Sequence, residues 1–261
     1  MNTLIPAAKW DAVQTALQTA FHTTTVDSID LLAGGLSSAL VYKVVVAGKP
    51  YVLRLLMEID ELRDPARQFF CMQQAAAASI APAVHYAHVE QALAITDFIA
   101  TQPLSKALAS PEERLHLLAH TIKAIHALPL FPHLVNFLDG VDRFIQRFHA
   151  LALLPASATA AHFSAYAEIQ RVYPRHDPDL VASHNDLNPN NMLFDGQQIW
   201  IIDWEAAFRN DRYVDLAIAA RPFVTDEAQE TFYLQSYFGD TPTTYQRARY
   251  FLMQQVCHLY Y

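Results

Sequence analysis

The rhythm of apolar positions changes along this chain. Near its start, Trp10, Val13, Leu17 and Phe21 recur every three or four residues, with Lys9 and Asp11 interrupting them, which predicts an amphipathic helix. Residues 26–57 turn strand-like: the runs 41–46 and 51–56, joined by Ala47-Gly48-Lys49-Pro50, predict a strand pair. Asp64-Pro65 opens a helix to about residue 79, with proline at its first position and Phe69, Met72, Ala76 and Ser79 on one face; Ile80-Ala81-Pro82 stops it. Residues 83–89 and 93–97 read as another strand pair. From Ser110 onward the period is helical. Ser110-Pro111-Glu112-Glu113 is a capping box, and Leu115, Leu118, Ile122 and Ile125 form a stripe to be buried. Residues 141–154 and 160–172 predict two more helices, and 245–261 an apolar one without a capping signal at its end. That last helix either packs its end into the C-terminal part or belongs to a truncated sequence. Strands followed by helices predict an α+β fold, with an N-terminal lobe at 1–97, a link at 98–103 and a helical lobe at 104–261.

The helical region is interrupted by residues 183–205, SHNDLNPNNMLFDGQQIWIIDWE. Leu193-Phe194 and residues 199–202 flank Asp195-Gly196, which reads as a hairpin. A hairpin returns the chain to its start, so Asn191 before it is expected to approach Asp203 after it. Magnesium takes hard oxygen ligands, usually only one or two from the protein, and these two residues fit that need. Asp186, in the preceding loop, is placed to accept a proton from a substrate hydroxyl. Asn188-Pro189 keeps that loop from becoming helix. Singly, a His-x-Asp loop, an Asp-Gly turn and an acid at a strand end are commonplace. In this order they supply one carboxylate for the acceptor hydroxyl and two oxygen ligands for magnesium. Phosphoryl transfer from Mg-ATP needs these groups, so the order predicts a protein-kinase-like phosphotransferase.

The upstream strands gain meaning from that core. Gly34-Gly35 with Ser37 and Ser38 is either an ordinary hairpin turn or a glycine loop whose N–H and hydroxyl groups cradle ATP phosphates. Arg54 lies among apolar strand neighbours, where a cation is needed for the α- and β-phosphates; an outward-facing strand residue is the alternative. Asp97, Phe98 and Ile99 begin the link between lobes, and their backbone groups are expected to meet the adenine edge.

Composition narrows the partners. Of 261 residues, 52% are hydrophobic and 17% charged, which is globular. Lys and Arg number 18 against 26 Asp and Glu, for a net charge of −8, and no basic block occurs. Nucleic acid and anionic membrane surfaces are thereby disfavoured as partners. No apolar run reaches the ~18 residues of a membrane span, and the N-terminus lacks the basic region of a secretory signal. Two cysteines, Cys71 and Cys257, make no disulfide framework and fit a reducing, cytoplasmic setting. His116, His120 and His126 tempt as zinc ligands, but without an acid on that face they read as surface or core histidines.

These motifs resemble the aminoglycoside phosphotransferase and choline/ethanolamine kinase superfamily over roughly residues 28–220. The likeness is most specific at His184-Asn-Asp-Leu-Asn-Pro-Asn-Asn191 and Ile201-Ile-Asp-Trp-Glu205. It extends to Leu32-Ala-Gly-Gly-Leu-Ser-Ser38 and Ile125-His126-Ala-Leu-Pro129. The resemblance implies a two-lobed kinase-like fold, Asp186 as catalytic base, Asn191 and Asp203 as magnesium ligands, and Asp215 as an organiser of the site. Asp203-Trp-Glu205 and the arginine at position 54 are similar to choline kinases, which implies that Glu205 assists the metal or a substrate cation. One departure stands out: where the family places a glutamate on the first-lobe helix to pair with the strand cation, this chain has Gln68, leaving Glu58 or Glu61 as substitutes. The acceptor is expected to be a small cationic alcohol, choline or ethanolamine. Trp204, Phe208, Tyr213, Phe223, Phe232, Tyr233, Tyr237 and Phe238 could offer faces to a quaternary ammonium group, although helical aromatics are usually core. Thiamine and aminoglycosides are alternatives, as is a catalytically silent nucleotide-binding protein. Protein kinase activity is disfavoured, because no Asp-Phe-Gly or Ala-Pro-Glu element follows.

Overall fold

The computed structural model describes residues 4–32, 38–102, 110–152, 154–175 and 180–260. Gly34, Gly35 and Ser37 lie outside the described residues. The fold is α+β, with a β-rich N-terminal part and a helical C-terminal part, as expected. It divides into two compact units: Met1–Pro103 with Met192–Ala206, and Leu104–Asn191 with Ala207–Tyr261.

The first unit is built on an antiparallel sheet of β1 (Ser28–Leu31), β2 (Leu40–Val46), β3 (Lys49–Leu55), β4 (Val84–His88) and β5 (Leu93–Asp97), in the order β1-β2-β3-β5-β4. Successive strand residues face opposite sides, and here the two faces receive different helices. Tyr42, Val44, Val46, Tyr51, Leu53, Leu55, Leu93 and Ile95 point to one side, where Val13, Ala16 and Leu17 of α1 (Trp10–Phe21) close the core. The other face holds Ala94 and the helix α2 (Pro65–Ala77), which contributes Phe69 and Met72. Arg54 has the opposite parity to Leu53 and Leu55, so it lies on this second face, in register between Val41 and Ala94.

The connections follow local chemistry. The β2–β3 loop shrinks to Ala47-Gly48, because Val46 pairs with Lys49. Both loop residues take positive φ, 49° and 76°, as a type I′ turn requires. Lys49 and Pro50, expected in the loop, belong to β3. Pro50 is tolerated in a central strand because pairing with β5 ends at Tyr51–Asp97. Asp64 caps α2 by accepting from Ala66 N and Arg67 N, and Ser79 at φ 59° ends it, with Ile80 N donating to Ala75 O. The expected α2 face is corrected: Gln68, Phe69, Cys71 and Ala75 are buried, while Ser79 is exposed beyond the helix end. The hairpin of β7 (Met192–Phe194) and β8 (Ile199–Ile201) completes this unit. Its turn is held by Asp195, whose carboxylate accepts from Trp200 Nε1 at 2.7 Å and from Gln197 N and Gln198 N.

The second unit contains α3 (Pro111–His126), α4 (Phe137–Leu151), α5 (Ala156–Val172), the pair β6 (Leu180–Ser183) and β9 (Phe208–Asp211), then α6 (Arg212–Ala220), α7 (Glu227–Phe238) and α8 (Thr244–Tyr260). The capping box at Ser110 and Glu113 forms, and the stripe Leu115, Leu118, Ile122 and Ile125 is buried. Helix α6 is buried from Tyr213 to Ala220 and packs against α3, α8 and β6. A helix apolar on every side lacks the one-sided stripe that marks a surface helix, so periodicity does not delimit it. Arg249 of α8 is buried too. Its Nη2 donates to Asp211 at 2.5 Å, and its guanidinium lies over Tyr173 and Tyr213 at 4.5 and 5.0 Å from the ring centres. Burial alone would lower the Arg249 pKa, but Asp211 and Tyr173 more than reverse this and hold it as a cation.

No helix among the described residues is long and apolar enough to cross a membrane. Neither cysteine is in a disulfide, both are buried, and burial pushes each thiol up to about 12. With so little thiolate available, neither cysteine should react with a thiol reagent such as DTNB at pH 8 in the native protein. Both should react once the chain is unfolded, which the released chromophore measures directly.

Candidate active site

Within the second unit, the chain leaves β6 at Ser183 and enters a loop pinned to one carboxylate. Asp215, on the buried helix α6, has no solvent exposure. Its Oδ2 accepts from His184 N at 2.8 Å and His126 Nε2 at 3.1 Å and lies 2.9 Å from Ser183 Oγ; its Oδ1 accepts from Asn185 N at 2.7 Å. Burial alone would push the Asp215 carboxyl up. The His126 hydrogen bond, the charges of His126 and His184 and the His184 amide outweigh it and hold the group below its ordinary value. His126 is fixed in turn, with Nδ1 2.6 Å from Tyr237 Oη. It is therefore a core histidine wired into the site, whereas His116 and His120 lie against each other on α3, their ring centres 4.1 Å apart and their planes tilted by 43°.

This anchorage supports an unusual backbone. Asn185 sits at φ 64°, a left-handed conformation that asparagine tolerates better than most residues. Its side chain is held from both ends: Oδ1 accepts from Asn210 Nδ2 at 2.7 Å, and Nδ2 donates to Ser183 O and Phe208 O. The next residue is Asp186, the one partly exposed side chain in the otherwise buried stretch 181–187. Its Oδ1 accepts from Asn188 Nδ2 at 3.1 Å and its Oδ2 from Asn191 Nδ2 at 2.9 Å. Asn191 Nδ2 also donates to Asp186 O at 2.9 Å. With its N–H groups turned to Asp186, Asn191 has its amide oxygen to offer a cation.

The first unit carries the other set. The hairpin pairs Met192, which follows Asn191, with Ile201, which shortly precedes Asp203. Asp203 is at φ 62°, a second left-handed non-glycine residue in this segment. The 3-10 turn Trp204–Ala206 follows, anchored by buried Trp204, whose Nε1 donates to Ile201 O at 3.2 Å. Arg54 Nη2 lies 2.9 Å from Asp203 Oδ1 and 3.0 Å from Glu205 Oε2. Of the two, the Glu205 contact is a directed hydrogen bond; Asp203 Oδ1 is buried and receives none among the described residues.

The expected partners of Arg54 are corrected by this arrangement. Glu58 is exposed and pairs with Arg63, Glu61 is exposed, and Gln68 is buried with its Nε2 unbonded among the described residues. Ser38 Oγ accepts from Arg63 Nη1 at 3.4 Å. In the link, the Asp97 carboxylate lies 2.8 Å from His85 Nε2, and its N–H donates to Ala83 O. No backbone hydrogen bond among the described residues uses Phe98 or Ile99; Lys43 Nζ lies 4.8 Å from the centre of the Phe98 ring. The aromatic residues expected to greet a cationic acceptor are mostly core. Trp204, Phe208, Tyr213, Tyr233 and Tyr237 are buried, and the Tyr233 hydroxyl donates to Leu216 O.

The comparisons agree with this architecture. A choline/ethanolamine kinase family protein from Mesorhizobium loti superposes with a TM-score of 0.75 at 21% identity, over 96% of this chain and 83% of that one. The APH(2")-IIia structure, solved with GDP and kanamycin, superposes with a TM-score of 0.69 at 17% identity, over 95% of this chain and 89% of that one. At such identities the likeness establishes the protein-kinase-like fold. An uncharacterised protein of Metamycoplasma hominis is 43% identical over 56 residues, a match covering 21% of this chain and 10% of that protein. A family model described as "Phosphotransferase enzyme family" matches residues 28–251. The match takes in both the loop around Asp186 and the turn after Asp203, and the chain belongs to that family.

Proposed function

We propose that this phosphotransferase moves the γ-phosphoryl group of ATP to the hydroxyl of a small alcohol, with Asp186 as the base. The observation that carries the reading is the state of Asp186. It is the partly exposed carboxylate of an otherwise buried loop, held in orientation by Asn188 Nδ2 and Asn191 Nδ2, where a carboxylate can accept a proton from a substrate hydroxyl. In the step we infer, the hydroxyl oxygen forms a bond to the γ-phosphorus as the bond to ADP breaks, and the hydroxyl proton passes to Asp186. Arg54 is the candidate partner of the α- and β-phosphates, Phe98 and Ile99 offer backbone groups to the adenine edge, and Gly34, Gly35, Ser37 and Ser38 are assigned to the phosphates on sequence grounds alone.

Asp203 and Asn191 suit magnesium in kind: a carboxylate with a buried oxygen that no directed hydrogen bond reaches, and an amide whose oxygen is turned from its own bonds. Magnesium, when bound, would neutralise charge on the phosphates. Because Arg54 pairs with carboxylates, Gln68 in place of a helix acid does not by itself favour a silent nucleotide binder.

For the acceptor, choline or ethanolamine is favoured by the Asp203-Trp204-Glu205 sequence and by the fold shared with the Mesorhizobium loti protein. The buried aromatic residues lend it no weight. An aminoglycoside is the second reading, favoured by the fold shared with the kanamycin-bound APH(2")-IIia.

The reading yields three expectations. Asp186→Asn should keep the fold, judged by circular dichroism and melting temperature, and lower kcat by roughly 10²–10⁴; near-native turnover would remove Asp186 from the mechanism. In calorimetric titrations, Asp203→Ala should lose the magnesium-dependent part of nucleotide binding, and undiminished binding would place the metal elsewhere. ADP release from Mg-ATP, measured against choline, ethanolamine, thiamine, kanamycin and homoserine, should rise with choline or ethanolamine. Turnover with kanamycin alone would select the second reading, and nucleotide binding without turnover on any acceptor would favour the silent binder.

A further inference from the structure

The face of the sheet that carries Arg54 is covered by a helix with no acid in it. Helix α2 reads PARQFFCMQQAAA, and its charged residue, Arg67, is a buried cation. A strand cation facing such a helix must find its counter-ion elsewhere, because a partly buried guanidinium without a carboxylate loses both charge neutralisation and its strongest hydrogen bonds. It finds one 151 residues along the chain, where Glu205 Oε2 accepts from Arg54 Nη2 at 3.0 Å. The two side chains are only 19% and 28% exposed, so the pair is better shielded from water than an ordinary surface ion pair.

Glu205 is well placed to hold position. It sits on the 3-10 turn that packs against α2, and Trp204 fixes that turn from below by burial and by its bond to Ile201 O. Among the influences on Arg67, the Glu205 charge counts with those of Cys71 and Asp64 in favouring the guanidinium against its burial. Glu205 is thus an acid between two arginines, one on the strand and one on the helix. Asp203 differs: its Oδ1 lies 2.9 Å from Arg54 Nη2 as an ion pair, with no directed hydrogen bond among the described residues.

We propose that Glu205 is a positioning residue, the counter-ion that holds Arg54 in place for the nucleotide phosphates, and that the metal falls to Asp203 and not to Glu205. The inference rests on the phosphotransfer reading above and divides labour between two carboxylates that the Asp-x-Glu sequence treats alike. The acid that α2 lacks at Gln68 is supplied from the turn after the metal aspartate. The nucleotide-gripping cation and the metal-binding turn are thereby fastened together directly.

The test is a double-variant cycle of Arg54→Ala and Glu205→Ala, read in three ways. Glu205→Ala is expected to lower kcat/KM for ATP roughly tenfold, the worth of one charge-assisted hydrogen bond. It should add no further loss when Arg54 is already alanine; losses that multiply would overturn the proposal. Paramagnetic titration of Mn2+ with ADP is expected to give a metal affinity for Glu205→Ala within about threefold of the unmodified protein, while Asp203→Asn loses it; a parallel loss in both would make Glu205 a ligand and overturn the proposal. Urea unfolding of the four proteins without nucleotide or metal is expected to be non-additive, and additive losses would show that the pair does not hold. This third measurement separates the two readings. If the unmodified protein binds no nucleotide, phosphotransfer fails, yet the unfolding cycle still decides whether Glu205 holds Arg54. Should Glu205→Ala fold poorly, Glu205→Gln keeps an acceptor for Arg54 without the charge and is expected to retain most of the coupling; its complete loss counts against a hydrogen-bonded positioning role.

Discussion

A carboxylate with no exposure to water must be satisfied by the protein, and Asp215 meets that demand by gathering the loop that leads to Asp186 around itself. Two backbone amides, a histidine ring and a serine hydroxyl converge on its two oxygens. Removing any of these would leave part of a buried anion uncompensated, which is among the costlier defects a core can carry. The same bonds confine Ser183, His184 and Asn185, and with them the left-handed turn at Asn185 that delivers Asp186 to the surface. Strain at Asn185 persists because its backbone N–H and both ends of its side chain are bound elsewhere. The Asp186 carboxylate is thus aimed by its neighbours.

In the first unit the governing constraint is strand parity. Alternation along β3 sends Tyr51, Leu53 and Leu55 into the core under α1 and leaves Arg54 on the other side, in the direction of the Asp203 turn. A one-residue slip of register would bury the guanidinium among aliphatic side chains and expose leucines, so the hydrophobic core itself secures the placement of the cation. The tight Ala47-Gly48 turn fixes that register from one end.

Much of this was legible before any coordinates. Signals that act within a few residues translated well: the Ser110 capping box, the Asp64-Pro65 helix start, the Asp195-Gly196 hairpin and the three-and-four spacing of the α3 stripe. Asp186, Asn191, Asp203 and Arg54 were singled out because phosphoryl chemistry demands particular residue types at fixed spacing, and the structure sets Asn191 against Asp186 and Arg54 against Asp203. What escaped depends on distance along the chain. Glu205 lies too far from Arg54 for any local rule to pair them, and attention stayed on acids close to the strand. Helix α6 has no polar face to betray its period. The aromatic residues of the C-terminal part were ambiguous in composition, and burial decided for core because rings at helical spacing fill the gaps between packed helices. His126 was read as a surface or core histidine, and its contact with Asp215 needed the packing of α3 against α6 to be seen.

The division of the chain has a consequence for anyone who would re-engineer it. Neither compact unit is a continuous piece of polypeptide: the first returns for Met192–Ala206 after the second has begun, and the second resumes at Ala207. The peptide bond between Asn191 and Met192 therefore separates residues of different units, and no single cut yields either one whole. Exchanging acceptor preference with a relative by swapping halves would require three junctions placed together, one of them inside the motif. Such an enzyme is better altered residue by residue than as a cassette.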